Sequence, residues 1–224
     1  MTNYTVVIVA AGQGKRMNAG RNKQFLMIGE HPLIVHTLKA FTEDKKCREI
    51  ILVTNEADEK DMEELIMRYH FRKVRVVYGG KERQDSVYQG LLAVSDPSCP
   101  VLIHDGARPF VKRKNVHELV EKIEESGAAL LAVPVTDTVK QMKDGKLETL
   151  NRDYLWAAQT PQGFSYDMIR QAHEKARENG FYATDDAALA ESFGHNVSIV
   201  HGNYDNIKIT TPEDLQKASA YVKK

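Results

Sequence analysis

Cysteine is scarce in this chain, and long hydrophobic runs are missing. The 224 residues include 2 cysteines, Cys47 and Cys99, which form neither a CxxC pattern nor metal-ligand spacing. We therefore expect reduced thiols. No stretch approaches the roughly 20 apolar residues that span a bilayer, and the first residues lack a basic segment followed by an apolar one. These absences predict a cytoplasmic protein that does not bind membranes.

The chain also lacks an excess of charge of either sign. The chain has 31 basic residues (Lys and Arg) and 31 acidic residues (Asp and Glu), which gives a formal net charge of +0. A neutral chain has no overall field that would draw it onto nucleic acid, so a polyanion would have to bind at a local site. The length suits one large core, and we expect a single domain over residues 1–224.

Two familiar phosphate-binding signatures are absent as well. A dinucleotide-binding fingerprint needs G-x-G-x-x-G, and Met17 stands at the third glycine position. The P-loop pattern G-x-x-x-x-G-K-[ST] occurs nowhere in the sequence. These two differences exclude the usual dehydrogenase and P-loop ATPase signatures.

Strand-like apolar runs alternate with amphipathic helical segments over the first 135 residues. This alternation predicts an α/β fold with a mostly parallel central sheet and helices on both faces. A closing helix is expected at Pro212–Val222, with Thr211 as its N-cap. The predicted strands are Val6–Ala10, Ile50–Val53, Val74–Tyr78, Val101–His104 and Ala129–Val135, and the predicted helices are Pro32–Phe41, Ala57–Tyr69, Ser86–Val94 and Asn115–Glu125.

A projecting β-hairpin arm is expected over residues 136–153. Two short strand-like segments flank Asp144-Gly145, a dipeptide typical of tight hairpin turns. A two-stranded ribbon is only marginally stable alone in water. The arm should therefore pack against either its own domain or a partner chain, and we favour a partner, which makes the arm a dimerisation element.

A glycine-hinged loop that carries cations follows the first strand. The strand leads through Gly12 and Gly14 to Arg16, and Lys23 comes shortly after. Glycines let the backbone turn tightly and approach a ligand, and exposed amide groups in such a turn form an anion nest. The loop predicts a triphosphate site, although an ordinary strand-to-helix turn could also contain both glycines and one exposed cation.

Two further loops follow predicted strands in the same way. Gly79-Gly80 precedes a helix, and Asp105 stands at the carboxyl end of the fourth strand. Because ligands of open α/β sheets bind outside these ends, the three loops should face one crevice. Asp105 could instead be a helix N-cap or a surface acid, and Ser86 only the N-cap of its helix. We interpret His104 as a packed or hydrogen-bonded histidine.

The ordered motifs of nearly the whole chain resemble a known enzyme family. The first loop resembles nucleotidyltransferases that join a sugar phosphate to a nucleoside triphosphate. The full set resembles the cytidylyltransferases of the non-mevalonate isoprenoid pathway, which act on 2-C-methyl-D-erythritol 4-phosphate and CTP. These motifs are Ala10-Ala11-Gly12-x-Gly14-x-Arg16-Met17, Gly80-x-x-Arg83-x-x-Ser86, His104-Asp105-Gly106-Ala107-Arg108-Pro109, Asp137-Thr138-Val139-Lys140, Thr160-Pro161-Gln162, Thr184-Asp185-Asp186-Ala187 and Asn206-Ile207-Lys208-Ile209-Thr210.

The resemblance implies a Rossmann-like nucleotidyltransferase domain in which a substrate phosphate attacks the α-phosphorus of CTP. Arg16 and Lys23 would stabilise the pentacoordinate phosphorus and the leaving pyrophosphate. Gly80 and Ser86 would read the cytosine, and Asp105 would help to hold Mg²⁺ or another divalent ion. The remaining residues implied in substrate binding on the nucleotide side are Ala10, Ala11, Gly12, Gly14, Arg83, Gly106, Ala107 and Arg108.

The same resemblance implies a second, polyol phosphate end of the site. Arg152 and Lys208 would orient the attacking phosphate, and Lys208 lies in an apolar segment that we interpret as a strand. In the family the β-arm exchanges between subunits, which implies a homodimer whose arm contributes to the neighbouring site. Thr138, Thr160, Thr184 and Asp185 would also contribute to substrate binding.

Two other functions remain open from the sequence. A polyol phosphate cytidylyltransferase that uses ribitol 5-phosphate would share the glycine loop and the late lysine. A nucleotide-binding relative without turnover is the second alternative, but it would not need the cations at Arg16, Lys23, Arg152 and Lys208 together.

Overall fold

The computed structural model describes residues 2–12 and 22–222. Seven of the strands in this part of the chain form one sheet, and the other four form two short hairpins. The strands are β1 (Tyr4–Val9), β2 (Met27–Ile28), β3 (His31–Pro32), β4 (Cys47–Thr54), β5 (Val74–Tyr78), β6 (Val101–Asp105), β7 (Ala128–Pro134), β8 (Lys140–Lys143), β9 (Lys146–Thr149), β10 (Trp156–Phe164) and β11 (Ser198–His201). All five predicted sheet strands are present, with ends shifted by up to three residues.

The α-helices agree with the predicted ones in place but not always in bounds. The closing helix has the predicted bounds. The third helix begins at Arg83 with Glu82 as its N-cap, so the alternative that Ser86 is only an N-cap is wrong. The helices are α1 (Leu33–Thr42), α2 (Glu59–Arg68), α3 (Arg83–Leu92), α4 (Arg113–Ser126), α5 (Tyr166–Glu178), α6 (Asp186–Ser192) and α7 (Pro212–Val222).

The large sheet has the strand order β11-β7-β10-β6-β1-β4-β5. Every neighbouring pair is parallel except those of β10, which runs antiparallel to both β6 and β7. The predicted α/β class with a mostly parallel sheet is confirmed. The antiparallel strand was not expected from the sequence.

The central strand β1 is buried on both faces. Val6 and Ile8 pack in one apolar cluster with side chains of α1, α2 and α4, while Val7 packs in a second cluster with α3, α5 and α6. This alternation follows from the two-residue period of a strand. Helix α3 approaches β1 closely, since a Cβ added at Gly90 would lie 2.3 Å from Val7 Cγ1. The second half of α3 is thereby packed against the middle of β1.

The β-hairpin arm consists of β8 and β9. Asp144 and Gly145 have φ values of 51° and 74°, the left-handed pair that a tight two-residue hairpin turn requires. Both strands are exposed along their whole length. Met142 pairs across the ribbon with Leu147, and these side chains are 65% and 62% exposed. The arm thus presents an apolar cross-strand pair to its surroundings.

Two other predictions need correction or completion. Residues 207–210 form no strand, so Lys208 lies in an extended segment that is fixed by the bond from the Ile209 amide to the Ala107 carbonyl. Between the arm and this segment the structure contains β10, α5, α6 and β11, which the sequence pattern had not indicated. Within residues 2–12 and 22–222, none of the helices combines the length and apolar character that crossing a membrane requires.

Candidate active site

A cleft opens at the carboxyl ends of β1, β5 and β6. It encloses about 630 Å³ including its open mouth. The three loops that follow these strands all contribute to it, as the positions of the strand ends predict. The lining residues are Val9, Ala11, Gly12, Lys23, Gln24, Gly80, Lys81, Glu82, Arg83, Ser86, Asp105, Ala107 and Lys208.

Asp105 lies at the centre of a cluster of cations in this cleft. Its Oδ2 is 2.8 Å from Lys208 Nζ and 3.6 Å from Arg108 Nε, and its Oδ1 is 3.5 Å from Arg83 Nε. Its side chain is 10% exposed, and the next helix begins only at Arg113. Asp105 is therefore neither a surface acid nor a helix N-cap, and both alternatives are wrong.

The charges around Asp105 decide its ionisation. Burial by itself would raise the pKa of this carboxyl, because removal from water disfavours the charged form. The charges of Arg83 and Lys208, together with the hydrogen bond from Lys208, outweigh burial and hold the pKa well below its usual range. Asp105 is consequently a carboxylate at neutral pH.

A buried hydrogen-bonded chain supports Asp105 from behind. The Asp105 amide donates to Thr160 Oγ1 over 3.0 Å, and that hydroxyl is 3.1 Å from His104 Nδ1. His104 Nε2 lies 3.0 Å from the Arg108 carbonyl and must donate to it, so Nδ1 accepts from Thr160. This assignment is that of a neutral imidazole, the form that burial favours at this position by lowering the pKa of His104. Thr160, predicted to bind substrate, is 5% exposed and contacts the site through Asp105.

The neutral state of His104 predicts a pH dependence of stability. Burial lowers the pKa of His104 to about 4, although its bond to the Arg108 carbonyl opposes this. The unfolded chain has the ordinary value of about 6.5, so between these values it binds more protons than the folded chain. We expect the free energy of unfolding to fall by about 3 kcal/mol from this residue as pH decreases through that window.

Urea denaturation at several pH values measures this effect. His104→Gln should destabilise the fold at every pH but give a shallower decrease from pH 6.5 to pH 4. Equal slopes for the variant and the unchanged chain would contradict the assignment of a neutral His104.

The first loop is described only in part. Ala11 and Gly12 line the cleft beside β1, whereas Ala10 is buried. Lys23 also lines the cleft, and its Nζ donates to the Ile209 carbonyl over 3.0 Å. The predicted residues Gly14 and Arg16 lie outside the described residues.

The second loop places Gly80 close to the first turn of α3. The Gly80 amide donates to Ser86 Oγ over 3.1 Å. A Cβ added at Gly80 would lie 2.3 Å from Asp85 Cβ, so only glycine fits at this position without a rearrangement. Ser86 Oγ is 3.1 Å from the Glu82 carbonyl and faces the loop as well. Gly80 and Ser86 therefore line the cleft as one hydrogen-bonded unit.

Other predicted residues lie behind the cleft wall. Gly106 is closely surrounded, since an added Cβ would lie 3.0 Å from Gln24 Nε2. Arg108 Nη1 donates to the Asn206 carbonyl over 2.6 Å. Asp185 is the N-cap of α6 and also accepts from Gln162 Nε2 over 2.8 Å. In this structure these residues hold loops in place.

Three predicted residues of the polyol phosphate end are exposed and are not among the described residues that line this cleft. Arg152 donates from Nη1 to the Thr136 carbonyl over 2.8 Å, at the base of the arm. Thr138 lies just before β8, and Thr184 just before α6. The structure of one chain does not bring them to Asp105.

Asp105 was also predicted to help hold a divalent ion. Among the described residues, no three His, Cys, Asp or Glu side chains come together in a way that would hold a metal ion. Asp105 offers hard carboxylate oxygens, the donor type that Mg²⁺ prefers, at the edge of a cation-rich cleft. The residues therefore fit an ion that takes most of its ligands from phosphates and water, with one carboxylate from the protein.

Several site residues were missed from the sequence. Gln24, Lys81 and Glu82 line the cleft without having been predicted. Asp186 binds Arg83 over 2.8 Å and stands within a motif that had been recognised, although no role had been given to it. His104 had been interpreted as a structural histidine, which its buried bonds confirm.

Comparisons with known families and curated proteins point to one enzyme family. The family model described as IspD: 2-C-methyl-D-erythritol 4-phosphate cytidylyltransferase matches residues 4–224. The enzyme of that name from Bacillus cytotoxicus is 52% identical over 221 residues, which are 98% of this chain and 97% of the relative. The one from Halalkalibacterium halodurans is 51% identical over 219 residues, with 97% and 96% covered.

Two solved structures also superpose on this chain. The 4-diphosphocytidyl-2C-methyl-D-erythritol synthase from Anaerococcus prevotii superposes with a TM-score of 0.89 at 35% identity, covering 100% of this chain and 97% of that one. The 2-C-methyl-D-erythritol 4-phosphate cytidylyltransferase from Thermus thermophilus gives a TM-score of 0.82 at 34% identity, with 100% of both chains covered. The likeness extends over the whole chain in each case.

Proposed function

Because this chain belongs to the 2-C-methyl-D-erythritol 4-phosphate cytidylyltransferase family, we propose that it transfers the cytidylyl group of CTP to 2-C-methyl-D-erythritol 4-phosphate. The products are 4-diphosphocytidyl-2-C-methyl-D-erythritol and pyrophosphate. The observation that carries this proposal is the Asp105 carboxylate held by Arg83, Arg108 and Lys208 in a cleft between three strand-to-helix loops.

The reaction needs cations rather than a protein nucleophile. A phosphate oxygen of the substrate attacks the α-phosphorus of CTP, and the bond from that phosphorus to the bridging oxygen of pyrophosphate breaks. Negative charge accumulates on the phosphoryl oxygens while two anionic groups approach each other. Preorganised donors and cations that face these oxygens lower the barrier without forming a covalent intermediate.

The cleft residues suit separate parts of this reaction. Lys23 lines the cleft together with Ala11 and Gly12, and it would stabilise the leaving pyrophosphate together with Arg16. Gly80 and Ser86, which bond to each other at the cleft, would read the cytosine with backbone and hydroxyl groups. Lys208 lies next to Ile209, whose carbonyl binds Lys23, and its ammonium group is held by Asp105, so it would bind the incoming phosphate. The two lysines would thus bind the leaving pyrophosphate and the attacking phosphate.

A divalent ion is part of the proposal. When bound, Mg²⁺ would neutralise charge on the phosphates, and Asp105 is the residue that would hold it. Arg83, Lys208 and Arg108 keep this carboxylate ionised, as binding of a cation requires.

The polyol end of the site is proposed to form between two subunits. Arg152 and Thr138 lie at the base of the exposed arm, away from the cleft of their own chain. The apolar pair Met142 and Leu147 is a surface that a second chain would bury. In a homodimer each arm would carry Arg152 to the neighbour's cleft, where Lys208 and Thr184 would meet the same phosphate.

Charge introduced on the arm tests this assembly. Met142→Asp combined with Leu147→Asp should convert the dimer to a monomer and reduce turnover at least tenfold, because a charge buried in an apolar interface is strongly unfavourable. Gln141→Asp is the matched control, since its side chain points to the other face of the ribbon. Sedimentation and activity are measured together, and a fully active monomer would contradict shared sites.

The cytoplasm is the proposed place of this reaction. Cys47 and Cys99 are both free thiols, which is the state expected in a reducing compartment.

Pyrophosphate release provides the direct test. The chain is incubated with CTP, Mg²⁺ and either 2-C-methyl-D-erythritol 4-phosphate or ribitol 5-phosphate. Release with the erythritol substrate alone is the expected result. Release only with ribitol 5-phosphate would favour the related polyol phosphate enzyme. CTP binding without release would identify a nucleotide-binding relative.

A further inference from the structure

A buried carboxylate lies directly behind the cation cluster of the cleft. Asp186 is the first residue of α6, and its side chain is 2% exposed. Its Oδ2 is 2.8 Å from Arg83 Nη1, and its Oδ1 is 3.4 Å from Nε2 of the fully buried His173. Arg83 Nε is in turn 3.5 Å from Asp105 Oδ1. One guanidinium group therefore bridges a buried carboxylate and the carboxylate of the cleft.

This arrangement restricts a side chain that would otherwise move. An arginine at a cleft wall has many rotamers, and the Arg83 side chain is 30% exposed. A charge-assisted bond at one end of the planar guanidinium fixes the direction of its other donors. Because Asp186 holds Nη1, Nε faces Asp105 and the group stays at the wall.

Asp186 and Arg83 also carry opposite charges. Burial would raise the pKa of Asp186, but Arg83 and His173 reverse this and lower it below the usual value. A buried carboxylate is strongly destabilising without a cation beside it. A cation that contributes to a binding site must in turn be held in a fixed position by neighbouring residues. Asp186 therefore contributes more than the start of a helix, whose N-cap is Asp185.

We propose that Asp186 is a positioning residue for this site, acting through Arg83 to hold the guanidinium group against Asp105 and the bound nucleotide. The role assigned to the nucleotide rests on the proposed function. Asp186 itself is not among the described residues that line the cleft. Its influence on CTP must therefore pass through Arg83.

A double-mutant cycle tests this dependence. Asp186→Asn should reduce kcat/KM about tenfold and weaken CTP binding, because it replaces a bond between two charged groups with a weaker one. Arg83→Met removes the guanidinium but keeps an unbranched side chain, and should reduce kcat/KM further. The double variant should resemble Arg83→Met within about twofold, because the contact that Asp186 serves is already gone. Two losses that multiply would overturn the inference, as would an unchanged Asp186→Asn variant.

The double-mutant cycle is completed by a control variant, a replacement variant and a measurement of CTP binding. Asp167→Asn removes an exposed carboxylate from the first turn of α5 and should have no effect. Asp186→Glu keeps the charge while displacing the carboxylate, so it replaces Asp186→Asn in the cycle if the latter does not fold. The dissociation constant of CTP is measured for every variant alongside turnover. A chain that binds CTP without turnover would refute the proposed function, and the binding cycle would still decide the role of Asp186.

Discussion

Replacing Lys23 with alanine is expected to reduce the rate of cytidylyl transfer by about 10²–10³, which corresponds to roughly 2.7–4 kcal/mol of transition-state stabilisation. The lysine lines the cleft and is fixed by a 3.0 Å bond to the Ile209 carbonyl. A cation held in this way needs no reorganisation when charge develops on the phosphates. The loss should therefore appear mainly in kcat.

The fold should tolerate this change. A single hydrogen bond contributes about 1 kcal/mol, so the thermal midpoint should decrease by no more than about 4 °C for a chain of this size. Lys114→Ala is the matched control, because Lys114 is an exposed lysine at the start of α4. Steady-state kinetics and thermal denaturation are compared for both variants. Equal activity of Lys23→Ala and the unchanged chain would remove Lys23 from the mechanism.

Asp105→Asn is expected to have the second large effect. The asparagine would keep the shape of the side chain but not the charge that holds Arg83, Arg108 and Lys208 together. Three cations would then repel one another across the cleft, and Lys208 would lose its 2.8 Å partner. We expect kcat/KM to fall by about 10², the usual size for loss of one preorganised charged group.

Kinetics at several Mg²⁺ concentrations extend this test. If Asp105 helps to hold the ion, Asp105→Asn should also need more Mg²⁺ for half-maximal rate. Asp61→Asn, an exposed change in the first turn of α2, should leave both quantities unchanged. Because the pKa of Asp105 lies well below its usual range, its ionisation should contribute no acid limb to the rate profile above about pH 4. Unaltered kinetics of Asp105→Asn would refute its central role.

The position of the cleft could be predicted from the sequence, because local residue patterns show where each strand ends. Gly12, Gly80 and Asp105 each follow an apolar strand, and parallel strands place their carboxyl ends at one edge of a sheet. The ion pairs of Asp105 could not be predicted in this way. Arg83, Arg108 and Lys208 come from separate parts of the chain, and no periodicity relates them. Such pairings depend on tertiary packing and become visible only in the structure.

Strand β10 illustrates why other elements were missed. It contains Pro161, and a proline normally argues against a central strand because it cannot donate to a neighbour. A register shift between Ala158 and Gln162 accommodates this residue in the sheet. Helix α6 has only seven residues, too few for a clear helical period. The importance of Thr160 and Asp186 is tied to these two elements, so their contacts could not be predicted either.

The position of β10 determines the order in which the site can be assembled. The strand lies between β6 and β7, which precede it in the chain and do not pair with each other. A chain synthesised only as far as β7 can therefore form one four-stranded sheet of β6, β1, β4 and β5 with β6 as an open edge, while β7 still lacks both of its partner strands. Long-range pairings of this kind form slowly and leave unpaired edges exposed during folding. The amide of Asp105 receives its Thr160 partner only when β10 pairs with β6, and Lys208 is synthesised later still, so the cleft cannot be completed before these C-terminal segments are in place.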